Sequence, residues 1–458
     1  MDKSRERLAA YAADLTYEDL TPEAIRGVKR SVVDSIGCAL GAFQAEPVAA
    51  VRRLASRVSA AAPATVIGTA VRTSPEWAAF ANGAMIRYSD FSDDYFGGSG
   101  DTGPHPSDNI GGILAAAEST GADGKALVLG LAIAYEACGQ MVDCTALRVR
   151  GWDHPLFHSI ATALGAGKVL GLSRTQLGNA LSLAVAPNVC LFQTRLGDIS
   201  NWKGLAGPNG SRNGVFAALL ASEGISGPPE PFEGRAGLMK QLDNWFELGQ
   251  FGGAGTPFKV EGTFFKYLPL RYEMQLPVWI AFELRGKVDR KDIEAISVYL
   301  EKRCAVSRSE NPAHWDPKSR ETADHSGPYL IAAALVDGEI THRTFTPERY
   351  RDPAILALVQ KISLKEDKAY TAVFPRTFEC RFEVTLKSGN VITLHKANPK
   401  GHPGNPMSDD EIAQKFLKQA EDVLPGAQAR ALLGQLWELE KLRDIEALLA
   451  LARVPPGR

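Results

Sequence analysis

The chain has 458 residues, and its 51 lysines and arginines nearly balance 53 aspartates and glutamates, for a formal net charge of -2 at pH 7. This length predicts about two or three domains with proper cores. With no basic excess to attract phosphate backbones, we expect no nucleic-acid partner. The N-terminus is charged and no apolar window reaches a charge-free spanning length, so we expect a cytoplasmic protein with no membrane contact.

The first half of the chain is patterned as helices. Apolar residues recur near helical period over residues 25–40 and 75–88, and the second of these helices delivers Asp90 at its C-terminal end. Residues 126–141, 159–170, 174–184 and 214–221 are rich in alanine and leucine with small residues interleaved, which suits closely packed helices. The sequence therefore predicts a large helical domain that begins at the N-terminus and extends to about residue 262.

The composition changes after about residue 262 and changes back near the C-terminus. Residues 293–299, 359–364, 380–386 and 391–395 are β-branched or alternating, and residues 388–390 are typical of a hairpin turn. Helical patterns return over 408–420 and 427–449, the first with Ser408 as its N-cap. We predict a mainly α protein, with a helical domain formed by 1–262 and 405–458 and a smaller α+β domain formed by 263–404.

The cysteines provide no metal or cofactor site. They occur singly, mostly within apolar segments, and no C-x-x-C spacing is present. An iron–sulfur hydratase needs clustered thiolates, which this spacing does not supply, so we expect small buried thiols and consider a metal-free route. The six positions are Cys38, Cys138, Cys144, Cys190, Cys304 and Cys380.

Three carboxylates and a histidine surround a glycine-rich stretch after the helix over 75–88. Asp90, Asp93 and Asp94 precede the stretch, and His105-Pro106-Ser107 follows it. A solvated helix terminus would explain the acidic run alone. His105 favours a functional interpretation, because an imidazole beside a helix start can move a proton near neutral pH while the free backbone N–H groups bind a carboxylate.

His154 and His158 have the i, i+4 spacing of two metal ligands on a helix. Pro155 stands where the glutamate of the zinc motif would be, and no third ligand is nearby. We therefore predict no metal, a proton-transfer role for His154, and a supporting or packing role for His158.

Two lysines are candidates for binding an anion. Lys203 lies in a glycine-rich loop that reaches Asn213 and includes Arg212, although the order of a phosphate loop is missing. Lys266 is flanked by aromatic residues near the predicted domain boundary, where a half-desolvated ammonium would face a cleft. An ordinary surface loop is the alternative for the first of these segments.

Taken in order, these motifs resemble those of the MmgE/PrpD family, which includes 2-methylcitrate dehydratase, cis-aconitate decarboxylase and iminodisuccinate epimerase. The resemblance extends over nearly the full length, and its details lie nearest the 2-methylcitrate dehydratase branch. It rests on residues 90–94, 105–108 and 151–154, the Lys203 loop, Lys266-Tyr267, residues 320–329 and residues 401–409.

The resemblance implies a helical domain with a smaller α+β lid, a homodimer, and a site between domain and lid for a small di- or tricarboxylate. The family's site positions fall on Asp90, Asp94, His105, His154, Lys203, Lys266 and Tyr329. Many members carry a threonine where this chain has Asp94, so a charge replaces an expected hydroxyl contact.

The chemistry leads to a hydro-lyase hypothesis. Removing a proton beside a carboxylate creates an enediolate-like dianion, whose charge Lys203 and Lys266 would meet. His105 and His154 would supply the base and the acid, with Asp90 orienting His154. Tyr329 would close from the lid to position substrate or donate a proton. Which histidine is acid and which is base stays open. A decarboxylase or an epimerase would use the same pair, and an inert binding protein is the third alternative.

Overall fold

The computed structural model describes residues 2–98 and 100–457, so Ser99 of the glycine-rich stretch lies outside the described residues. The chain divides into two compact units. The first unit comprises Met1–Gln193, Gly204–Thr263 and Ser408–Arg458, and the second comprises Thr194–Lys203 and Phe264–Met407. The short segment that carries Lys203 thus belongs to the second unit.

The chain is mainly helical. Helices α1–α10 and α17–α19 belong to the first unit, and α11–α16 belong to the second. In chain order the helices are α1 (Lys3–Asp14), α2 (Pro22–Gly41), α3 (Glu46–Ala55), α4 (Pro75–Tyr88), α5 (Ile110–Thr120), α6 (Gly124–Cys144), α7 (Pro155–Val169), α8 (Arg174–Val185), α9 (Ala206–Ser222), α10 (Leu238–Gln241), α11 (Gln275–Arg285), α12 (Arg320–Ala323), α13 (Gly327–Asp337), α14 (Pro347–Tyr350), α15 (Pro353–Val359), α16 (Lys368–Val373), α17 (Asp409–Ala420), α18 (Gly426–Trp437) and α19 (Ile445–Leu451).

Local sequence signals determine where several helices begin. Thr21 accepts a hydrogen bond from the Ala24 N–H and caps α2, whose first residue is proline. Ser408 caps α17 as predicted, and its hydroxyl and the Glu411 carboxylate exchange bonds with each other's backbone N–H in a capping box.

Close backbone packing holds α9 against α7 in the first unit. A Cβ built on Gly210 would lie 2.4 Å from the carbonyl oxygen of Pro155, and one on Gly214 would lie 2.7 Å from that of Ser159. Only glycine lets the two helices approach this closely. The start of α9 is thereby held beside the start of α7, where His154 and His158 lie.

Helix α6 is the core helix of the first unit. It is long and apolar enough to cross a membrane by length and composition, but 89% of its apolar window is buried inside the protein. Burial on this scale is what a core helix of a globular unit shows, so the length alone is weak support for a membrane span.

The strands form a small ribbon in the first unit and a sheet in the second. They are β1 (Ala64–Thr65) with β2 (Arg72–Thr73) in the ribbon, and β3 (Ile293–Leu300), β4 (Ile362–Glu366), β5 (Glu379–Leu386) and β6 (Val391–Ala397) in the sheet. The sheet has the order β4-β3-β5-β6. Strand β3 pairs in parallel with β4 and antiparallel with β5, which forms a hairpin with β6. Apolar side chains of β3 and β5 share a buried core with α11 and α13.

Three predicted elements differ from the structure. The loop predicted to reach Asn213 is helical from Ala206, because its glycines pack against α7. The C-terminal helix predicted over 427–449 is two helices, separated by residues 438–444, and the Asp444 side chain caps the second. Val359 ends α15, and the strand predicted from that residue begins at Ile362.

Candidate active site

The C-terminal end of α4 carries a buried ion pair. The Arg87 guanidinium lies 2.6 Å from Asp90 Oδ1, and both side chains are buried. Asp90 has a left-handed backbone with φ of 51°, a conformation that aspartate tolerates better than most residues but that still costs about 1 kcal/mol or more. The ion pair offsets this strain and fixes the carboxylate at the helix end.

Asp93 ties the segment after α4 to the segment around His105. Its Oδ1 accepts the Ser107 N–H at 2.9 Å, and its Oδ2 accepts the Tyr135 hydroxyl of α6 at 2.7 Å. Burial raises the pKa of Asp93 to about 6, although both hydrogen bonds favour the carboxylate. The side chain therefore has a structural function and titrates close to neutrality.

His105 is held by its Nδ1 atom. This nitrogen lies 2.7 Å from the backbone carbonyl oxygen of Asp93 and 3.2 Å from Asp94 Oδ1. His105 precedes Pro106, which opens a 3-10 turn over Pro106–Asn109, and the restriction before proline keeps His105 extended. The imidazole is thus oriented from one side by the chain and by a carboxylate.

His154, His158 and Asp108 form a buried chain of contacts. His154 precedes Pro155 at the start of α7, and its Nδ1 lies 3.0 Å from Nε2 of His158, one turn into the helix. That same Nε2 lies 3.3 Å from Asp108 Oδ2. The His154 and His105 rings are 5.5 Å apart between centroids, at 72°. The two predicted proton-transfer histidines therefore lie side by side.

Asp108 connects the histidines to α4 and to α9. The Nε of Arg87 lies 4.0 Å from its Oδ2. A Cβ on Gly207, in the first turn of α9, would lie only 1.9 Å from the same oxygen, so the helix start packs directly on the carboxylate. The positive end of the α9 dipole favours a negative charge at this position.

Lys203 lies in the second unit, in a buried group of charges around Asp324. Its Nζ is 3.2 Å from both Asp324 oxygens, Arg320 lies 3.2 Å away, and His325 Nδ1 lies 2.5 Å away. Burial alone would raise the pKa of Asp324, but Lys203 and the other cations lower it to about 2. Lys203 and Asp324 therefore form a buried ion pair within the second unit.

The remaining predicted site residues have other surroundings. Tyr329 is fully buried in the second unit, and its hydroxyl donates to the Thr344 carbonyl. Lys266 is also fully buried in that unit. In the described structure Arg212 contacts Asn209, at 3.4 Å, and the Trp77 ring, with 5.3 Å to its centroid.

Four predicted residues, Asp90, Asp94, His105 and His154, belong to one cluster in the first unit. Sequence reasoning gave no role to Arg87 and only a supporting role to His158. Two signals in the sequence could have indicated a larger role. One is the i, i+4 spacing of His158 from His154, and the other is Asp108, three residues after His105. Nothing in the pattern of α4 distinguishes Arg87 from an exposed arginine.

The same atoms admit a cation. Ligand atoms of Asp108, His154 and His158 all lie within 4.8 Å of one another. We do not assign a metal centre, because His154 Nδ1 and His158 Nε2 are 3.0 Å apart, which is a hydrogen-bond distance. The six cysteines, all within the described residues, form no disulfide, and four of them are buried.

Comparison with family models identifies the class of protein. The MmgE/PrpD N-terminal domain matches residues 6–250, and the MmgE/PrpD C-terminal domain matches residues 269–439. The two matches cover most of the chain, which therefore belongs to the MmgE/PrpD family. The resemblance drawn from the motifs is confirmed.

Curated relatives are similar over most of their length. The mitochondrial 2-methylcitrate dehydratase of Yarrowia lipolytica is 26% identical, over 94% of this chain and 86% of its own. The 2-methylcitrate dehydratase of Salmonella typhimurium is 28% identical, over 78% and 77%. The human cis-aconitate decarboxylase is 24% identical, over 98% and 94%. These relatives are named for lyase reactions of small carboxylates.

Proposed function

We propose that this chain is a lyase that dehydrates 2-methylcitrate or a similar hydroxy tricarboxylic acid. The observation that carries the proposal is the pair of histidine rings with 5.5 Å between centroids, each oriented by its own polar partners. Such a pair provides the separate base and acid that removal of a proton and a hydroxyl group requires. The names of the relatives supply the substrate class.

Two buried lysines of the second unit are part of the same proposal. Proton removal beside a carboxylate generates negative charge that buried cations stabilise. Lys203 and Lys266 are the proposed carboxylate-binding cations, and Arg212 and Asp94 are the further proposed substrate contacts. Tyr329 stays a proposed substrate-positioning residue or proton donor, and its hydroxyl donates to the Thr344 carbonyl. Asp90, whose carboxylate is paired with Arg87, stays the proposed residue that orients His154.

Decarboxylation of a cis-aconitate-like acid is the second candidate. It is supported by the similarity to the human cis-aconitate decarboxylase, which extends over nearly the whole chain. An iminodisuccinate-type epimerase would use the same histidines. Asp94 affects which of these reactions is favoured, because its Oδ1 lies 3.2 Å from His105 Nδ1 and stabilises a positive charge on that ring.

A substrate panel separates these reactions. Purified protein is incubated with 2-methylcitrate, citrate, cis-aconitate and iminodisuccinate, and enoate absorbance, carbon dioxide and chirality are followed. We expect an enoate product from 2-methylcitrate or citrate. His105→Ala and His154→Ala should each lower the turnover about 10²-fold or more. His342→Ala, at an exposed position, is the control. Carbon dioxide without enoate, or unchanged turnover in either histidine variant, would contradict it.

The remaining family properties are part of the same proposal. We expect the second unit to act as a lid domain, the chain to form a homodimer, and the protein to be cytoplasmic and to need no metal or other cofactor. Light scattering coupled to gel filtration measures the oligomeric state. Metal analysis of the purified, active protein measures metal content.

A further inference from the structure

The two proton-transfer histidines have different partners at Nδ1. A backbone carbonyl can only accept, so the 2.7 Å contact with Asp93 places a proton on Nδ1 of His105, which also lies 3.2 Å from Asp94 Oδ1. When this ring is neutral, its lone pair is on Nε2. His154 instead directs its Nδ1 at another imidazole nitrogen, 3.0 Å away. Two nitrogens at that distance need one proton between them.

The charges around His154 and His158 favour one additional proton on this pair. Asp108 lies 3.3 Å from His158 Nε2, and both residues are fully buried. The carboxylates of Asp90, Asp108 and Asp94 share the guanidinium of Arg87, so negative charge remains to be neutralised in a dry environment. Two further ionisable groups lie beside the pair: Asp153, 3.8 Å from His154 Nε2, and His105.

A pair that carries this proton has only one arrangement of its N–H groups. The shared proton lies between Nδ1 of His154 and Nε2 of His158, and the two outer nitrogens each carry their own. Whichever ring formally bears the positive charge, His154 Nε2 is then a proton donor. His105 Nε2, by contrast, is an acceptor.

We infer that Asp108 and His158 are positioning residues that keep a proton on the His154–His158 pair, which makes His154 the acid and His105 the base. This inference rests on the proposed lyase function for its catalytic consequence. It assigns the two roles that the sequence leaves open. Neither Asp108 nor His158 needs to touch substrate.

The dehydration then balances within the cluster. His105 Nε2 takes the proton from the carbon beside the carboxylate, and the C–H electron pair becomes the carbon–carbon double bond. The C–O bond breaks, and the leaving hydroxide takes the Nε2 proton of His154 to form water. His105 becomes an imidazolium beside Asp94, and the His154–His158 pair becomes neutral. The net charge of the protein is unchanged.

Nitrogen NMR tests the protonation states without substrate. Protein labelled with ¹⁵N-histidine is observed at pH 7, and signals are assigned with His105→Gln, His154→Gln and His158→Gln. The inference expects a neutral His105 with its proton on Nδ1, and a cationic signature on His154 and His158 that Asp108→Asn removes. Two neutral rings at positions 154 and 158, or a His105 protonated on Nε2 alone, would overturn it. So would a stoichiometric divalent cation bound to these rings.

Kinetics test the consequence. Asp108→Asn preserves shape but removes the charge, so kcat should fall about 10²-fold and the alkaline limb of kcat/KM should move to lower pH. Glu136→Gln is the matched control. It removes another fully buried carboxylate of the first unit, one that accepts the backbone N–H groups of Gly252 and Lys259. In this variant kcat should stay within about threefold of wild type, and the alkaline limb of kcat/KM should not move. Equal losses in both variants with no movement of the limb would mean a merely structural role.

The two experiments keep the inference apart from the proposed function. If no acid in the panel is turned over, the lyase proposal fails while the NMR spectra still decide the protonation states. If turnover is present and the spectra show a neutral pair, the lyase proposal stands and this assignment of roles is wrong.

Discussion

Asp93→Asn should change how the stability of the first unit depends on pH. The Asp93 carboxyl is fully buried, and burial raises its pKa from an ordinary value of 3.8 to about 6. Asparagine retains an oxygen for the Ser107 N–H and an amide beside the Tyr135 hydroxyl, but it cannot ionise. The variant thus removes the titration while keeping most of the geometry.

The sign and size follow from the two pKa values. A carboxyl whose folded pKa is raised contributes stability that is complete below the unfolded pKa of 3.8 and is lost as pH rises through about 6. Between pH 4.5 and pH 7.5 this loss amounts to about 2 kcal/mol. Relative to the wild type, Asp93→Asn should therefore gain about 2 kcal/mol in free energy of unfolding over that interval.

Urea unfolding followed by hydrogen exchange of α6 peptides measures this difference within the first unit. Asp410→Asn, at an exposed position on α17, is the matched control for an amide in place of a carboxylate. The reasoning would be refuted if the difference in free energy of unfolding between Asp93→Asn and wild type were the same at pH 4.5 and pH 7.5. It would also be refuted if Asp93→Asn lost stability relative to the wild type as the pH rises.

Three further outcomes are expected. Gly207→Ala inserts a methyl group against Asp108, so kcat should fall and unfolding should require about 1–3 kcal/mol less, measured by turnover and urea titration. Arg87→Met leaves Asp90 buried without its cation and should destabilise the first unit by about 3–5 kcal/mol, measured by the same titration. Burial lowers the pKa of His402 to about 4, and the Gly404 N–H donates to its Nδ1. The second unit should therefore lose stability as the pH falls from 6.5 toward 4, and His402→Asn should lose less over the same interval.

Controls separate these outcomes from general damage. Gly224→Ala places a Cβ in open space, although at a φ of 84°, and should leave kcat unchanged while it lowers stability slightly. Full activity in Gly207→Ala would contradict the packing argument. A stability of Arg87→Met within about 1 kcal/mol of wild type would show that Asp90 has another route to neutrality.

Much of the fold is readable from periodicity. The helix predicted over residues 75–88 is α4, Pro75–Tyr88, because its apolar stripe and its proline at the first position agree. Alternation likewise predicts the hairpin of β5 and β6, with Gly389 in a left-handed turn at φ of 86°. The parallel pairing of β3 with β4 was not predictable, since no local pattern encodes which distant strand is a neighbour.

The glycine-rich run after Lys203 shows how tertiary packing overrides local preference. Gly207, Gly210 and the proline between them favour a loop by propensity, yet the run forms the first turns of α9. The glycines are needed there because α9 packs against the backbone of α7 and against a carboxylate. The stability of these turns comes from contacts that the local sequence does not contain.

By itself the sequence determined the family, the mainly helical fold and the two histidines, because motif order and periodicity are local properties of the chain. Only the tertiary structure decided that His105 and His154 are neighbours, that His158 and Asp108 connect to His154, and that Lys203 is bound by Asp324. Protonation and orientation depend on distances of a few ångströms between groups far apart in the chain, and packing alone sets those distances.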